Sequence, residues 1–210
     1  MKNRGNNIII FVAIAGLVLG GILLATPQKS VSPGNTNGES QTKEDAALVN
    51  REDAPYLGAK EPKVTVVVFS DYLCPYCQQL HETIGKNLEK NGDKVGVYFR
   101  NFVVHSQAEI SAKAAEAAFK QDKFKEANDA LFALSDPNED TILEQAKGWG
   151  IDLNKFTSDL KSDEIGKKLD KDQEDALALG LSGTPSVYIN GKFVSDPSKF
   201  DEIIEEELKK

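Results

Sequence analysis

Val64-Thr65-Val66-Val67-Val68-Phe69-Ser70-Asp71-Tyr72-Leu73-Cys74-Pro75-Tyr76-Cys77 holds both cysteines of the 210-residue chain, three residues apart, where one kind of backbone gives way to another. The run Val64 to Phe69 is apolar, β-branched and short, and reads as a buried strand rather than a piece of helix. After Cys77, Leu80 and Ile84 stand four residues apart in Gln78-Gln79-Leu80-His81-Glu82-Thr83-Ile84, which predicts the start of a helix. Pro75 then falls in the first helical turn, where its missing N–H costs nothing. A thiol at a helix N-terminus faces unpaired N–H groups and the positive end of the macrodipole, and both favour the thiolate. Cys74 is therefore the predicted nucleophile. Cys77, one turn further in, is predicted to be more buried and to resolve a mixed disulfide by attacking back on Cys74.

The formal net charge is −8, and 40% of the residues are hydrophobic, enough for one sizeable core with room for a subdomain. Lys2 and Arg4 are the basic residues of the first 26, which contain no acid, so the remainder carries 23 basic residues against 33 acidic ones. That balance argues against a nucleic-acid partner. Ile8 to Ala25 is eighteen residues without a polar side chain, just enough to span a bilayer core. With Lys2 and Arg4 before it, the positive-inside rule leaves the N-terminus in the cytoplasm and exports the rest. Residues 1–26 accordingly read as a retained membrane anchor, a transmembrane helix, because Leu23-Leu24-Ala25 is a poor cleavage site. A cleaved signal peptide is the competing reading. Export alters the meaning of the cysteines. A structural bridge between residues three apart closes almost no loop, so a redox pair explains the spacing better than a staple does.

Residues 27–53, including Ser32-Pro33-Gly34-Asn35-Thr36-Asn37-Gly38-Glu39-Ser40, are polar and aperiodic and read as a flexible linker. The folded domain is expected over 54–210. Val95-Gly96-Val97-Tyr98-Phe99-Arg100 predicts a second strand, and Ser106 to about Gly180 is helical in composition, with breaks at Asp136-Pro137 and Gly148-Trp149-Gly150. Predicted helices include Phe124 to Leu134, Leu153 to Leu160 and Glu164 to Leu179. Ser186-Val187-Tyr188-Ile189, the turn Asn190-Gly191 and Lys192-Phe193-Val194 predict a hairpin. A last helix is expected from about Ser198 to Leu208, with Phe200, Ile203, Ile204 and Leu208 on one face. The order is strand, helix, strand, helical block, hairpin, helix, which predicts an α/β fold with a helical insertion.

Strand-Cys74-Pro75-Tyr76-Cys77-helix, followed by Gly183-Thr184-Pro185-Ser186-Val187-Tyr188-Ile189-Asn190-Gly191-Lys192, resembles the DsbA-like branch of the thioredoxin-fold thiol-disulfide oxidoreductases. The resemblance covers about residues 54–209. It implies a thioredoxin-like fold, a mixed central sheet flanked by helices, with a helical subdomain inserted at about 105–165. It also implies that Pro185 is a cis-proline beside the cysteine pair, a minority state that the fold must select. Thr184 matches the residue before that proline, whose backbone meets substrate and whose hydroxyl is placed to contact the Cys74 sulfur. Pro75 and Tyr76 match the dipeptide that tunes the redox potential. Six residues before the nucleophile the chain has Val68, where many relatives carry a buried acid that moves the proton of the resolving thiol.

The resulting expectation is a membrane-tethered thiol-disulfide oxidoreductase on the extracytoplasmic side, without cofactor or metal, that passes the Cys74/Cys77 disulfide to exported client proteins with free thiols. A membrane redox partner is expected to reoxidise it. The rivals are a disulfide reductase or isomerase, a non-catalytic binding or chaperone-like module with a structural disulfide, and a zinc site, for which His81 and His105 are the histidines available. Asp71 reads as a turn or surface acid and His105 as a capping or surface histidine. Trp149 reads as a packing anchor, and the acids of the last helix as a solvated face.

Overall fold

The computed structural model describes Val49 and residues 53–210. The expected membrane anchor, and the linker apart from Val49 and Asp53, lie outside the described residues. Among the described residues no helix is long and apolar enough to cross a membrane. Five strands form one sheet: β1 Tyr56–Gly58, β2 Val64–Ser70, β3 Val95–Asn101, β4 Ser186–Ile189 and β5 Lys192–Val194. Their order is β1-β3-β2-β4-β5, with β2 and β3 parallel and the other neighbours antiparallel. The central position of β2 explains its composition, since a strand covered on both faces has no polar side to alternate with. Val64, Val66 and Val68 face the main core with Leu80 and Ile84, whereas Val67 and Phe69 face a smaller cluster with Phe102, Ala176, Leu181 and Tyr188.

The expected helices form as α1 Pro75–Asn91, α2 Glu109–Phe119, α3 Phe124–Phe132, α4 Glu139–Ala146, α5 Leu153–Leu160, α6 Asp163–Ala178 and α7 Phe200–Leu208. Helices α2 to α6 build the block that separates β3 from β4. Trp149 is buried edge-on against Phe156, the anchoring role its flanking glycines indicated. Asn190 and Gly191 both take positive φ, 47° and 76°, as a two-residue turn between β4 and β5 requires.

Two features depart from the sequence reading. Strand β1, three residues long, was not foreseen, and its Tyr56 ring lies over Gly96 so closely that a Cβ there would strike it. Val49, inside the stretch read as linker, is helical and fully buried in the smaller cluster, and its carbonyl accepts a bond from Arg100 Nη1 at 3.4 Å. The domain's packing therefore begins before Ala54.

A buried polar layer lies beside that cluster. Glu116 of α2 accepts the Asn101 side-chain amide at 2.8 Å and stands 3.7 Å from Lys168 Nζ. Burial drives its carboxyl from the ordinary 4.5 to about 7; Lys168 opposes the shift and Asp172 adds to it. An acid whose folded pKa is raised stabilises the fold fully below its unfolded pKa, and that stability disappears as pH rises through the folded value. Between pH 4.5 and 7 the contribution lost is about 3 kcal/mol. Glu116→Gln keeps the acceptor for Asn101 without the charge. Its stability relative to wild type, from urea unfolding at pH 5 and pH 8, is expected to rise by about that amount with pH; a difference independent of pH would contradict the assignment.

Candidate active site

β2 ends at Ser70, and the chain turns through Asp71, where the carbonyl accepts the Cys74 N–H at 3.2 Å before α1 begins. Cys74 is the N-cap of α1, in extended backbone at φ −79° and ψ 120°, with Pro75 directly inside the helix. The antiparallel register of β2 with β4 pairs Phe69 with Ser186 and Val68 with Val187, so the residues just before β4 face the turn just after β2. Those residues are Gly183-Thr184-Pro185, and the Thr184–Pro185 peptide is cis. Ser186 Oγ, donating to the Gly183 carbonyl at 2.8 Å, fastens this loop. The Cys74 thiol donates to the Thr184 carbonyl at 3.3 Å. The turn after β2 and the loop before β4, more than a hundred residues apart in the chain, thus meet at Cys74 and Thr184.

The two thiols differ. Cys77 is one turn inside α1 and packs into the main core. Burial pushes its thiol up to about 12, with the neighbouring Cys74 adding to the rise, while the Asp71 backbone N–H and the Thr184 hydroxyl oppose it. Here the expected role of Thr184 needs correcting. Its carbonyl, not its hydroxyl, meets Cys74; the hydroxyl is buried without a hydrogen-bond partner of ordinary geometry, and the polar group it faces is the Cys77 sulfur. Val68 is buried among apolar neighbours and offers no proton. Tyr76 is 69% exposed, so the dipeptide between the cysteines presents an aromatic ring to solvent.

The flanking residues hold this geometry. Tyr72 Oη donates to Asn128 Oδ1 at 2.8 Å, and the Asn128 amide lies 3.3 Å from His81 Nδ1. His81 Nε2 is 3.1 Å from Asp129. Phe132 packs 4.6 Å from both the Tyr72 and the His81 rings, so α3 grips the chain on either side of the cysteines. Burial lowers the His81 pKa, against the pull of Asp129, and favours the neutral ring that this chain of bonds requires. Both ring nitrogens of His81 are thus engaged by α3. Among the described residues no group of three or more metal-binding side chains forms. Asp71, expected at a turn or on the surface, does form a turn but is buried, and His105, exposed at the N-cap of the short turn Ser106–Ala108 as a capping or surface histidine should be, has its ring 3.1 Å from it.

The thioredoxin family model matches residues 50–206. The probable disulfide bond formation protein D of Bacillus cereus is 32% identical over 174 residues, covering 73% of this chain and 78% of that protein. Among solved structures, a thioredoxin-like oxidoreductase from Silicibacter pomeroyi superposes with a TM-score of 0.69 at 28% identity, over 80% of this chain and 99% of that one. Oxidised BdbD from Bacillus subtilis superposes at 0.66, also at 28% identity, over 76% and 95%. A cysteine pair at a helix start facing a cis-proline loop, on a fold and sequence shared over this length, places the chain in the thioredoxin family, among its DsbA-like thiol-disulfide oxidoreductases.

Proposed function

We propose that the protein is a disulfide donor for exported proteins, tethered to the membrane by residues 1–26 and acting on the extracytoplasmic side. The observation that carries this reading is the asymmetry of the pair: Cys74 at the helix start against the Thr184 carbonyl, and Cys77 buried with its pKa raised to about 12. A client thiolate attacks the Cys74 sulfur, the client–Cys74 bond forms, and the Cys74–Cys77 bond breaks with Cys77 leaving as a thiolate that takes up a proton. A second client thiolate then attacks the client sulfur and releases Cys74, so the client gains the disulfide and the enzyme becomes the dithiol. With its high pKa, Cys77 is almost entirely protonated near neutrality. Its back-attack on the mixed disulfide is then slow, which leaves the client time to complete its own bridge. Thr184 and Pro185 line the client's approach, Tyr76 offers it an apolar contact, and a membrane redox partner reoxidises the pair.

Equilibration of the purified domain with glutathione buffers tests the direction. A donor is expected to lie well above thioredoxin's potential of about −270 mV, toward the strongly oxidising end near −120 mV. A value at or below thioredoxin's would mark a reductase and overturn the donor reading.

A further inference from the structure

Asp71 is 1% exposed, and its carboxylate is aimed into the join between two loops. Oδ1 accepts the Leu73 N–H at 2.8 Å and stands 3.1 Å from His105 Nδ1. Oδ2 accepts the N–H groups of Val104 and His105, each at 2.8 Å. The main chain of the same residue is engaged as well. Its carbonyl accepts the Cys74 N–H, and its N–H faces the Cys77 sulfur. A turn acid requires only the Leu73 bond. The bonds to Val104 and His105 fasten a different loop, the one that leaves β3, to the backbone of the nucleophile.

We propose that Asp71 is a positioning residue for thiol-disulfide exchange, whose carboxylate clamps the Val103–His105 loop to the Cys74 turn and so holds the Asp71 N–H on the Cys77 sulfur. This rests on the oxidoreductase reading above. In the step concerned, the Cys77 thiolate attacks Cys74 in a mixed disulfide. The Cys74–Cys77 bond forms, the bond from Cys74 to the other sulfur breaks, and that sulfur leaves as a thiolate and takes a proton from water. A carboxylate so placed can act in two senses of opposite sign. As a bare negative charge it would disfavour the Cys77 thiolate, and its loss would speed the attack. As a clamp it keeps a donor on that thiolate, and its loss slows the attack. The geometry favours the clamp, because three backbone N–H groups and the His105 ring already surround the carboxylate oxygens. Val68 supplies no acid there, so the Asp71 N–H is the donor that the clamp keeps toward the Cys77 sulfur.

Asp71→Asn keeps the size of the side chain but turns an amide NH₂ toward groups that are themselves donors, so part of the clamp is lost. The reduced protein is mixed with oxidised glutathione, quenched with acid and followed by mass spectrometry. Cys74 first takes one glutathione and releases the other; Cys77 then expels the first. In Asp71→Asn the mixed disulfide is expected to accumulate. Its resolution should be about tenfold slower at a given pH, equivalent to an upward displacement of about one pH unit, while the first step changes far less. Resolution that is unchanged or faster in Asp71→Asn, with a wild type that behaves normally, overturns the clamp alone. A wild type that forms no mixed disulfide overturns both the clamp and the oxidoreductase reading. The unsubstituted protein provides a check that needs no variant to fold. Val104 is 46% exposed, yet its N–H and that of His105 should be protected from hydrogen exchange by roughly a hundredfold. Exchange at the rate of an unfolded chain overturns the clamp.

Discussion

Cys74→Ser is expected to reduce the oxidation of a reduced, unfolded test protein to its uncatalysed rate, with little change in the stability of the fold. A serine hydroxyl cannot enter a disulfide, and Cys74 is the sulfur placed at the helix start against the Thr184 carbonyl. Cys77 cannot replace it, being buried within α1 with its thiol held protonated near neutrality. Stability should hardly respond, because a bridge between residues three apart removes little entropy from the unfolded chain. Cys77→Ser separates the two roles: it should still capture a client on Cys74 but cannot expel it, so the mixed disulfide persists. Both variants are read by the rate at which thiols disappear and by mass spectrometry of the adducts. Full oxidation rates with Cys74→Ser would sink the redox reading and leave the binding module with a structural disulfide.

Local signals made most of this site legible in the sequence. The strand before Cys74, the helix after Cys77 and the Asn190-Gly191 hairpin each carry their pattern within a few residues, and the β2–β4 register then follows from the fold. What escaped was set by distant partners. Asp71 has the composition of a turn acid, and nothing nearby shows that its carboxylate binds Val104 and His105 more than thirty residues on. Asn128 stands in an ordinary helix, and only the packing of α3 on α1 brings it between Tyr72 and His81. The Thr184 hydroxyl faces the other cysteine from the one expected, because the carbonyl occupies the place beside Cys74. Strand β1 was missed because three residues, partly exposed, show no period at all.

Arg100 is the largest such case, and its replacement is expected to be the most damaging to the fold. Its guanidinium is fully buried at the end of β3, donating to Asp172 at 2.7 Å, to Asp175 at 2.8 Å and to the Val49 carbonyl, with its carbon 4.9 Å from the centre of the Phe69 ring. Arg100→Leu leaves two carboxylates in a buried layer, where Lys168 and Lys171 are among the cations that still reach them. Breaking a buried pair on one side costs about 3–5 kcal/mol, because the surviving charge has lost both water and partner. Urea unfolding at pH 7 should show a loss of that order. The pH dependence identifies its origin. Burial opposes ionisation of Asp175, but the bonds from Lys171 and Arg100 outweigh it and hold the pKa below the ordinary value. Wild type therefore gains stability from this group above the unfolded carboxylate pKa and loses it as pH falls through the folded one. Without Arg100 that gain shrinks, so the two proteins should converge as the medium is acidified. A loss at pH 7 below about 1 kcal/mol would mean that the other partners of the aspartates suffice for them. Arg100 would then serve chiefly to dock the segment at Val49.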